Sequence, residues 1–175
     1  MPLKGVKVVL EAHDDAQFAL APHAAPAAWK VTANVQTANE PLATLLDGQL
    51  AKNYGPVVPN GRTEGMYKLD LAGAQHLAQV NTYAYRMGAH RGRQIFELYG
   101  SASATDPGWD VEDAKAFTFI AEVDSAAQTG RFTATSVQGP LGKYRWLVWV
   151  VHPANEQPVE NTAFQEFSVV IAPEP

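Results

Sequence analysis

The residues best suited to ligand binding lie in one short segment, Tyr83 to Arg93, which reads YAYRMGAHRGR. It holds Tyr85, Arg86, His90, Arg91 and Arg93 in a loop between two predicted strands. Proteins bind saccharides through an aromatic face against C–H groups and through planar donors that fix hydroxyls. The segment therefore predicts a surface suited to a sugar. The alternative interpretation is that Arg86 and Arg91 brace neighbouring carboxylates, Glu97 among them.

A second candidate is the Asp47-Gly48 turn. The turn is followed by Gln49 and Asn53, and together these residues offer the hard oxygen ligands that calcium requires. His90 is a weaker metal candidate, because no second histidine or carboxylate lies at ligand spacing from it. The sequence has no cysteine, which excludes thiolate metal sites and thiol catalysis.

Motifs for catalysis are absent from the sequence. The serines at 101, 103 and 125 lie in no Gly-x-Ser-x-Gly elbow. There is no Gly-rich phosphate loop and no His-Glu-x-x-His pattern, and no pair of carboxylates for glycoside hydrolysis stands out. The sequence therefore favours a protein that binds over an enzyme.

Composition excludes several classes of partner. The chain has 175 residues, 46% of them hydrophobic, which suits one globular domain. A net charge of −5 argues against a nucleic-acid surface and against adsorption to anionic lipid. No apolar run approaches the roughly 20 residues of a membrane span. We expect a secreted, cell-surface or periplasmic protein. Because Met1 to Leu10 lacks the long apolar core of a signal peptide, a cytoplasmic location stays open.

The elements that must position these residues have the chemistry of short strands. Alternation of apolar and polar residues or β-branched runs predict strands at Val6–Leu10, Trp29–Val35, Tyr67–Leu71, Ala78–Tyr85, Gln94–Tyr99, Ala116–Val123, Gly130–Val137, Tyr144–Val151 and Ala163–Ile171. Turn signals separate them, and only Glu40–Leu50 has helical character. We predict an all-β antiparallel sandwich over 29–175, with residues 1–28 as an N-terminal strand and Ala/Pro-rich connector packed on it.

Four segments, in order, resemble the discoidin (coagulation factor 5/8 type C, galactose-binding-like) superfamily, which includes many carbohydrate-binding modules. They are ATLLDGQLAKNY at 43–54, YKLDLAGAQHLAQV at 67–80, QIFELYGS at 94–101, and the pair KYRWLV at 143–148 with AFQEFSV at 163–169. The match covers roughly Trp29 to Val170. The resemblance implies a jelly-roll β-sandwich with a ligand site in the loops at one end. It adds Tyr54 and Asn161, in the loops 52–60 and 155–161, to the predicted sugar contacts.

The resemblance also implies a structural calcium ion. Its ligands would be Asp47, the carbonyls of Gln49 and Gln165, and the carboxylate of Glu166. Lys52 departs from the family, which commonly has Thr or Ser at this position. A lysine cannot ligate a cation, but it could pair with Asp47 or Glu166, so calcium and a plain turn with a buried ion pair both stay open.

The function predicted from these observations is a non-catalytic, lectin-like carbohydrate-binding module whose partner is a glycan or a cell-surface or matrix component. The alternative is a protein-interaction or adhesion domain on the same fold, which would need a broad exposed apolar patch. Three further predictions concern single residues. Arg145 is partly buried and bonded to carbonyls or a carboxylate, Trp109 is a lid more than a binding platform, and Trp29 and at least one of Trp146 and Trp149 lie in the core.

Overall fold

The chain forms an antiparallel β-sandwich, as predicted. The computed structural model describes residues 3–50, 54–86, 91–126, 130–156 and 158–174. These residues form the strands β1 (Lys7–His13), β2 (Lys30–Ala33), β3 (Gly65–Tyr85), β4 (Ile95–Ser101), β5 (Thr118–Asp124), β6 (Phe132–Val151), β7 (Pro153–Glu156), β8 (Val159–Asn161) and β9 (Phe164–Ile171). The helix within the described residues is a single 3₁₀ turn, Leu42–Leu46, so the predicted low helix content is confirmed.

Two long strands, β3 and β6, carry both layers of the sandwich. Residues 65–70 of β3 pair with 146–151 of β6, and this half of the sheet adds β2, β4 and β5. Residues 75–85 pair with 132–144, and this half adds β1 and β9. The register of the pairing between β3 and β6 shifts twice: after Asp70, between the two halves, and after Leu77, within the second half. Such bulges bend a strand, so each long strand contributes to both layers.

The hydrophobic core lies between these two layers. Trp149 of the first layer stacks on Phe167 of β9 at 4.2 Å between ring centroids, and Tyr67 meets Phe164 and Phe167 edge-to-face. The indole N–H of Trp149 donates to Thr82 Oγ1 at 3.1 Å. Trp149 is therefore a core residue, as predicted, and it joins the two layers. Trp29 is half-buried and packs on the edge of this core.

Because β3 and β6 bend, both ends of each strand return to the same end of the molecule. Gly65 pairs with Val151, and Tyr85 pairs with Phe132. Main-chain bonds then tie the loops together, since Tyr85 N donates to Ala163 O and His152 N donates to Ile95 O. The described residues of the loops 54–64, 86–94 and 152–163 therefore gather at one end, which we call the loop end.

The outer face of the first layer is covered by the loop at residues 102–116. Lys68 is only 2% exposed; its ammonium donates to Asp106 Oδ1 at 2.5 Å and lies 4.0 Å from the centre of the Trp109 ring. Arg145 makes a two-point contact with Asp70, at 2.8 and 3.1 Å, and also donates to a main-chain carbonyl. The structural role predicted for Arg145 is confirmed. Trp109 is a lid, as predicted, although it covers a lysine instead of the apolar core.

The segment after β1 covers the outer face of the second layer. Phe18 packs edge-to-face on Tyr83, whose hydroxyl donates to the carbonyl of Leu20. Further along, His23 N donates to Ser168 Oγ at 3.3 Å. These contacts bring residues near Ala24 beside the turn at Asp47-Gly48. Within the described residues, no helix is long and apolar enough to cross a membrane.

Candidate ligand-binding site

A cleft at the loop end contains two of the predicted sugar contacts, Tyr54 and Arg91. The cleft has a volume of about 370 Å³, within the range of small-molecule sites. Its lining residues are Ala38, Asn39, Tyr54, Val57, Pro59, Asn60 and Arg91. We call it the Arg91 cleft. One aromatic ring, two amides and one guanidinium are the groups that it offers to a ligand.

Arg91 is oriented by its neighbours in the cleft. Its guanidinium carbon lies 5.2 Å from the centre of the Tyr54 ring, a cation–π distance. Its Nη2 donates to Oδ1 of Asn60. The main chain of Arg91 is fixed as well, because its carbonyl accepts from Ala163 N at 3.0 Å. The charged side chain is therefore held against the aromatic wall of the cleft before any ligand arrives.

The backbone of the cleft is held in an uncommon conformation. Among the described residues, the non-glycine residues with positive φ are Asn39 (69°), Ala72 (62°) and Arg91 (70°). Two of these three line the Arg91 cleft. Left-handed backbone costs about 1–2 kcal/mol for an ordinary residue, and such conformations cluster at functional sites.

Tyr85 and Asn161, which the sequence assigned to ligand contact, have supporting positions instead. Tyr85 is 9% exposed and packs between Phe132, at 5.1 Å, and Tyr54, at 6.0 Å. Asn161 is fully buried, and its Nδ2 donates to the carbonyl of Arg62 at 2.9 Å. Tyr85 therefore fixes the ring of Tyr54, and Asn161 holds the loop that presents Asn60.

Arg86 is half-buried and does not line the Arg91 cleft. Its main-chain N–H donates to Arg131 O at 2.6 Å, and Gly92 packs so closely on its side chain that an added Cβ would lie 2.4 Å away. The alternative that these arginines brace Glu97 is wrong for the described residues. Glu97 accepts from Tyr99 Oη at 3.0 Å and forms no ion pair with either arginine. His90 lies outside the described residues.

Asn39 and Asn60 were missed by the sequence analysis. Asn60 precedes Gly61 in a turn, and that turn signal located the loop without indicating a ligand contact. Asn39 follows β2 at some distance and has no motif around it. Only the fold brings these two amides to the cleft that Tyr54 and Arg91 line.

The predicted metal residues Asp47 and Glu166 meet beside this cleft. Both main-chain N–H groups of the Asp47-Gly48 turn donate to the Glu166 carboxyl, with Gly48 N on Oε2. Glu166 is fully buried, and its Oε1 has no hydrogen-bond partner among the described residues. Burial raises the pKa of Glu166 to about 9, and the charge of Asp47 adds a smaller increase.

Gly48 is required at this turn for two reasons. Its φ is +79°, and a Cβ would lie 2.4 Å from the main-chain nitrogen of Ala24. Asp47 Oδ1 accepts from Gln49 N at 2.9 Å, which closes the turn. A second cleft, of about 310 Å³, opens here; Asp47, Gln49 and Gln165 line it, and Tyr54 is a wall shared with the Arg91 cleft. We call it the Asp47 cleft.

A buried carboxylate oxygen without a donor is what a hard cation would satisfy. Within the described residues no group of three or more histidine or acidic side chains could hold a metal. Calcium, however, also accepts main-chain carbonyls and needs fewer carboxylates. The residues at the Asp47 cleft therefore fit a calcium ion. Lys52, the alternative positive group, lies outside the described residues, so its pairing with Asp47 or Glu166 stays a prediction.

Comparisons with known proteins identify the fold. No protein-family model matches the chain, and no curated protein matches its sequence. Among solved structures, it is similar to the family 32 carbohydrate-binding module of NanJ from C. perfringens in complex with galactose. The TM-score is 0.56 at 10% identity, over 81% of this chain and 92% of that one. The fold is the galactose-binding-like jelly roll. The fold that the discoidin resemblance implied is thus confirmed.

Two further structures share this jelly roll. The family 32 module of AlyQ, in complex with 4,5-unsaturated mannuronic acid, gives a TM-score of 0.58 at 18% identity, over 82% of this chain and 95% of that one. A GH29 fucosidase from Ruminococcus gnavus, in complex with fucose, gives 0.60 at 11% identity, over 83% of this chain and 26% of the enzyme. The jelly roll thus matches whole modules and also one part of an enzyme.

Proposed function

We propose that this chain is a carbohydrate-binding module that holds a saccharide in the Arg91 cleft. The observation that carries the proposal is the convergence of Tyr54, Asn60 and Arg91 on one cleft. An aromatic face packs against the C–H groups of a pyranose, while guanidinium and amide groups bond its hydroxyls. The left-handed conformations of Asn39 and Arg91 support a preorganised site.

The comparisons support the class of ligand. The structures with this jelly roll include modules in complex with galactose and with an unsaturated mannuronic acid. At 10–18% identity they share the fold, so the choice of site rests on the residues of this chain.

The arrangement favours binding without catalysis. The described residues that line the Arg91 cleft include no aspartate, glutamate or histidine, so none of them is an ordinary general acid or base. The adhesion alternative has little support, because the exposed large hydrophobic residues among those described are only Val8 and Ile171, 39% each. Two separate aliphatic side chains do not make the broad patch that an apolar adhesion surface needs.

A structural calcium ion at the Asp47 cleft belongs to this proposal. Asp47 and Glu166 would hold the ion with their carboxylates, and Gln49 and Gln165 with their carbonyls. The ion would supply positive charge to the buried carboxyl of Glu166. It would thereby tie the Asp47-Gly48 turn to the closing strand next to Tyr54.

The proposal is tested by a glycan screen followed by calorimetry on two matched variants. Arg91→Gln removes the guanidinium from the cleft. Arg93→Gln removes one that lies two residues away and pairs with Asp124 at 2.8 Å. We expect Arg91→Gln to weaken binding to the best glycan at least tenfold, which is the size of a charge-assisted hydrogen bond. Arg93→Gln should leave the affinity within twofold. Equal affinities for all three proteins, or no glycan bound, would overturn the proposal.

A further inference from the structure

The charge of Arg91 indicates which saccharides the cleft takes. We infer that the ligand is an acidic saccharide whose carboxylate pairs with Arg91. This inference rests on the proposed function and names its substrate class. It predicts that uronic or sialic acid units are bound in preference to neutral sugars of the same shape.

Arg91 has no anionic partner in the described part of the chain. Among the described residues, no carboxylate lies within 4 Å of its guanidinium, and the group that accepts from its Nη2 is the neutral amide of Asn60. Two other arginines of the chain are neutralised within the fold. Arg93 bonds both oxygens of Asp124, at 3.0 and 2.8 Å, and Arg145 bonds both oxygens of Asp70. Arg91 is thus left with its charge available to a ligand.

The positive charge of the Arg91 guanidinium is poorly solvated. Its Nη1 is buried from water and has no hydrogen-bond partner in the described part of the chain. One face of the guanidinium is covered by the Tyr54 ring. A cation deprived of part of its hydration gains more from an anion than a fully solvated one does. The cleft is therefore better matched to a carboxylate than to a hydroxyl.

The described residues that line the cleft around Arg91 include no aspartate or glutamate, so an entering carboxylate meets no like charge from them. A guanidinium pairs with an oxyanion through charge-assisted N–H bonds, which are roughly twice as strong as neutral ones. Sulfate esters are oxyanions as well, so a separate arm of the test examines them.

The experiment compares two glycan arrays that differ in one chemical step. The first carries neutral, sulfated, uronic acid and sialic acid glycans. The second carries the same glycans after reduction of every carboxyl group to an alcohol. We expect the acidic glycans to bind and carboxyl reduction to lower their binding at least tenfold. Binding that survives reduction, or that is strongest for sulfated glycans, overturns the inference but leaves the proposed function standing. No binding on either array overturns both.

A variant tests whether Arg91 is responsible. Asn60→Asp places a carboxylate on Arg91 from within the protein. We expect it to weaken binding of the acidic glycan at least tenfold more than it weakens binding of a neutral glycan. Asp124→Asn is the control, because it alters an arginine partner outside the cleft. Thermal unfolding confirms that each variant is folded. Equal losses for acidic and neutral glycans in Asn60→Asp would contradict the assignment.

Discussion

Replacing Glu166 with glutamine tests how the buried carboxyl of the closing strand is charged. Glutamine has nearly the same shape and can still accept the N–H groups of the Asp47-Gly48 turn, but it does not titrate. In the metal-free protein, burial raises the pKa of Glu166 from 4.5 to about 9. The folded state then binds a proton more tightly than the unfolded state, so this carboxyl stabilises the fold at low pH and loses that contribution as the pH rises through this range.

The size of the effect follows from linkage. Between the unfolded and folded pKa values, the free energy of unfolding falls by about 1.4 kcal/mol for each pH unit. From pH 5.5 to 7.5 the wild-type protein in EDTA should therefore lose about 2.5 kcal/mol through Glu166. Glu166→Gln should lack this loss. The carboxyls of Asp70 and Asp124 have lowered pKa values because arginines bond them, so they are ionised throughout this range and do not contribute.

Calcium should remove this pH dependence of the free energy of unfolding. A cation beside the carboxyl favours its ionised form, so the pH-dependent loss should disappear from the wild-type protein in calcium. Calcium at one hundred times its dissociation constant should also add about 2.7 kcal/mol to the free energy of unfolding. Calcium should add much less to the free energy of unfolding of Glu166→Gln. The assay is urea unfolding of both proteins at pH 5.5 and 7.5, in EDTA and in calcium. Identical pH dependence of the two proteins in EDTA would refute the reasoning about burial, and identical wild-type curves in EDTA and calcium would refute the metal proposal.

Two further predictions concern stability away from the carboxyl. Gly48→Ala should lower the free energy of unfolding by more than about 2 kcal/mol, because it combines positive φ with a main-chain clash. Gly61→Ala, at a residue with similar φ but no atom within 4 Å of the added Cβ, should lower the free energy of unfolding by only about 1 kcal/mol. Equal losses for the two variants in urea unfolding would show that the main-chain clash at Gly48 does not matter. Trp109→Ala should cost about 2 kcal/mol and increase hydrogen exchange in residues 102–116, because Lys68 loses its cover. Unchanged exchange there would show that Trp109 is not a lid.

The strand positions could largely be predicted, but not how the strands join. Alternation located most strands, yet β3 and β6 were each predicted as two, separated by turn signals such as Gly139-Pro140. In the structure these residues lie inside β6. Pro140 is exposed, and Gly139 has a φ of +137°. Pro140 has no partner in the pairing of β6 with β3 or β1, so its missing N–H removes no ladder hydrogen bond. The residues that end a strand elsewhere therefore bend one here. The short strands β7 and β8 were missed because they have little apolar alternation.

The candidate site could likewise be predicted only in part from the sequence. Tyr54 and Arg91 were predicted because their residue types suit a sugar, and both line the cleft. Tyr85 and Asn161 have equally suitable chemistry, but they are buried. Whether a residue at the end of a strand faces a cleft or the protein depends on register and on the packing of neighbouring loops, which residue type does not encode. The same reason explains why Asn60 was missed.

The most direct test of the central claim is NMR observation of side chains during titration with the tightest glycan from the screen. The guanidinium N–H resonances of Arg91 and the side-chain amide of Asn60 should shift in proportion to saturation. Those of Arg93 and Arg145, which are paired with aspartates, should stay in place. Saturating binding that leaves Arg91 and Asn60 unshifted, with the largest changes elsewhere, would contradict the Arg91 cleft as the saccharide site.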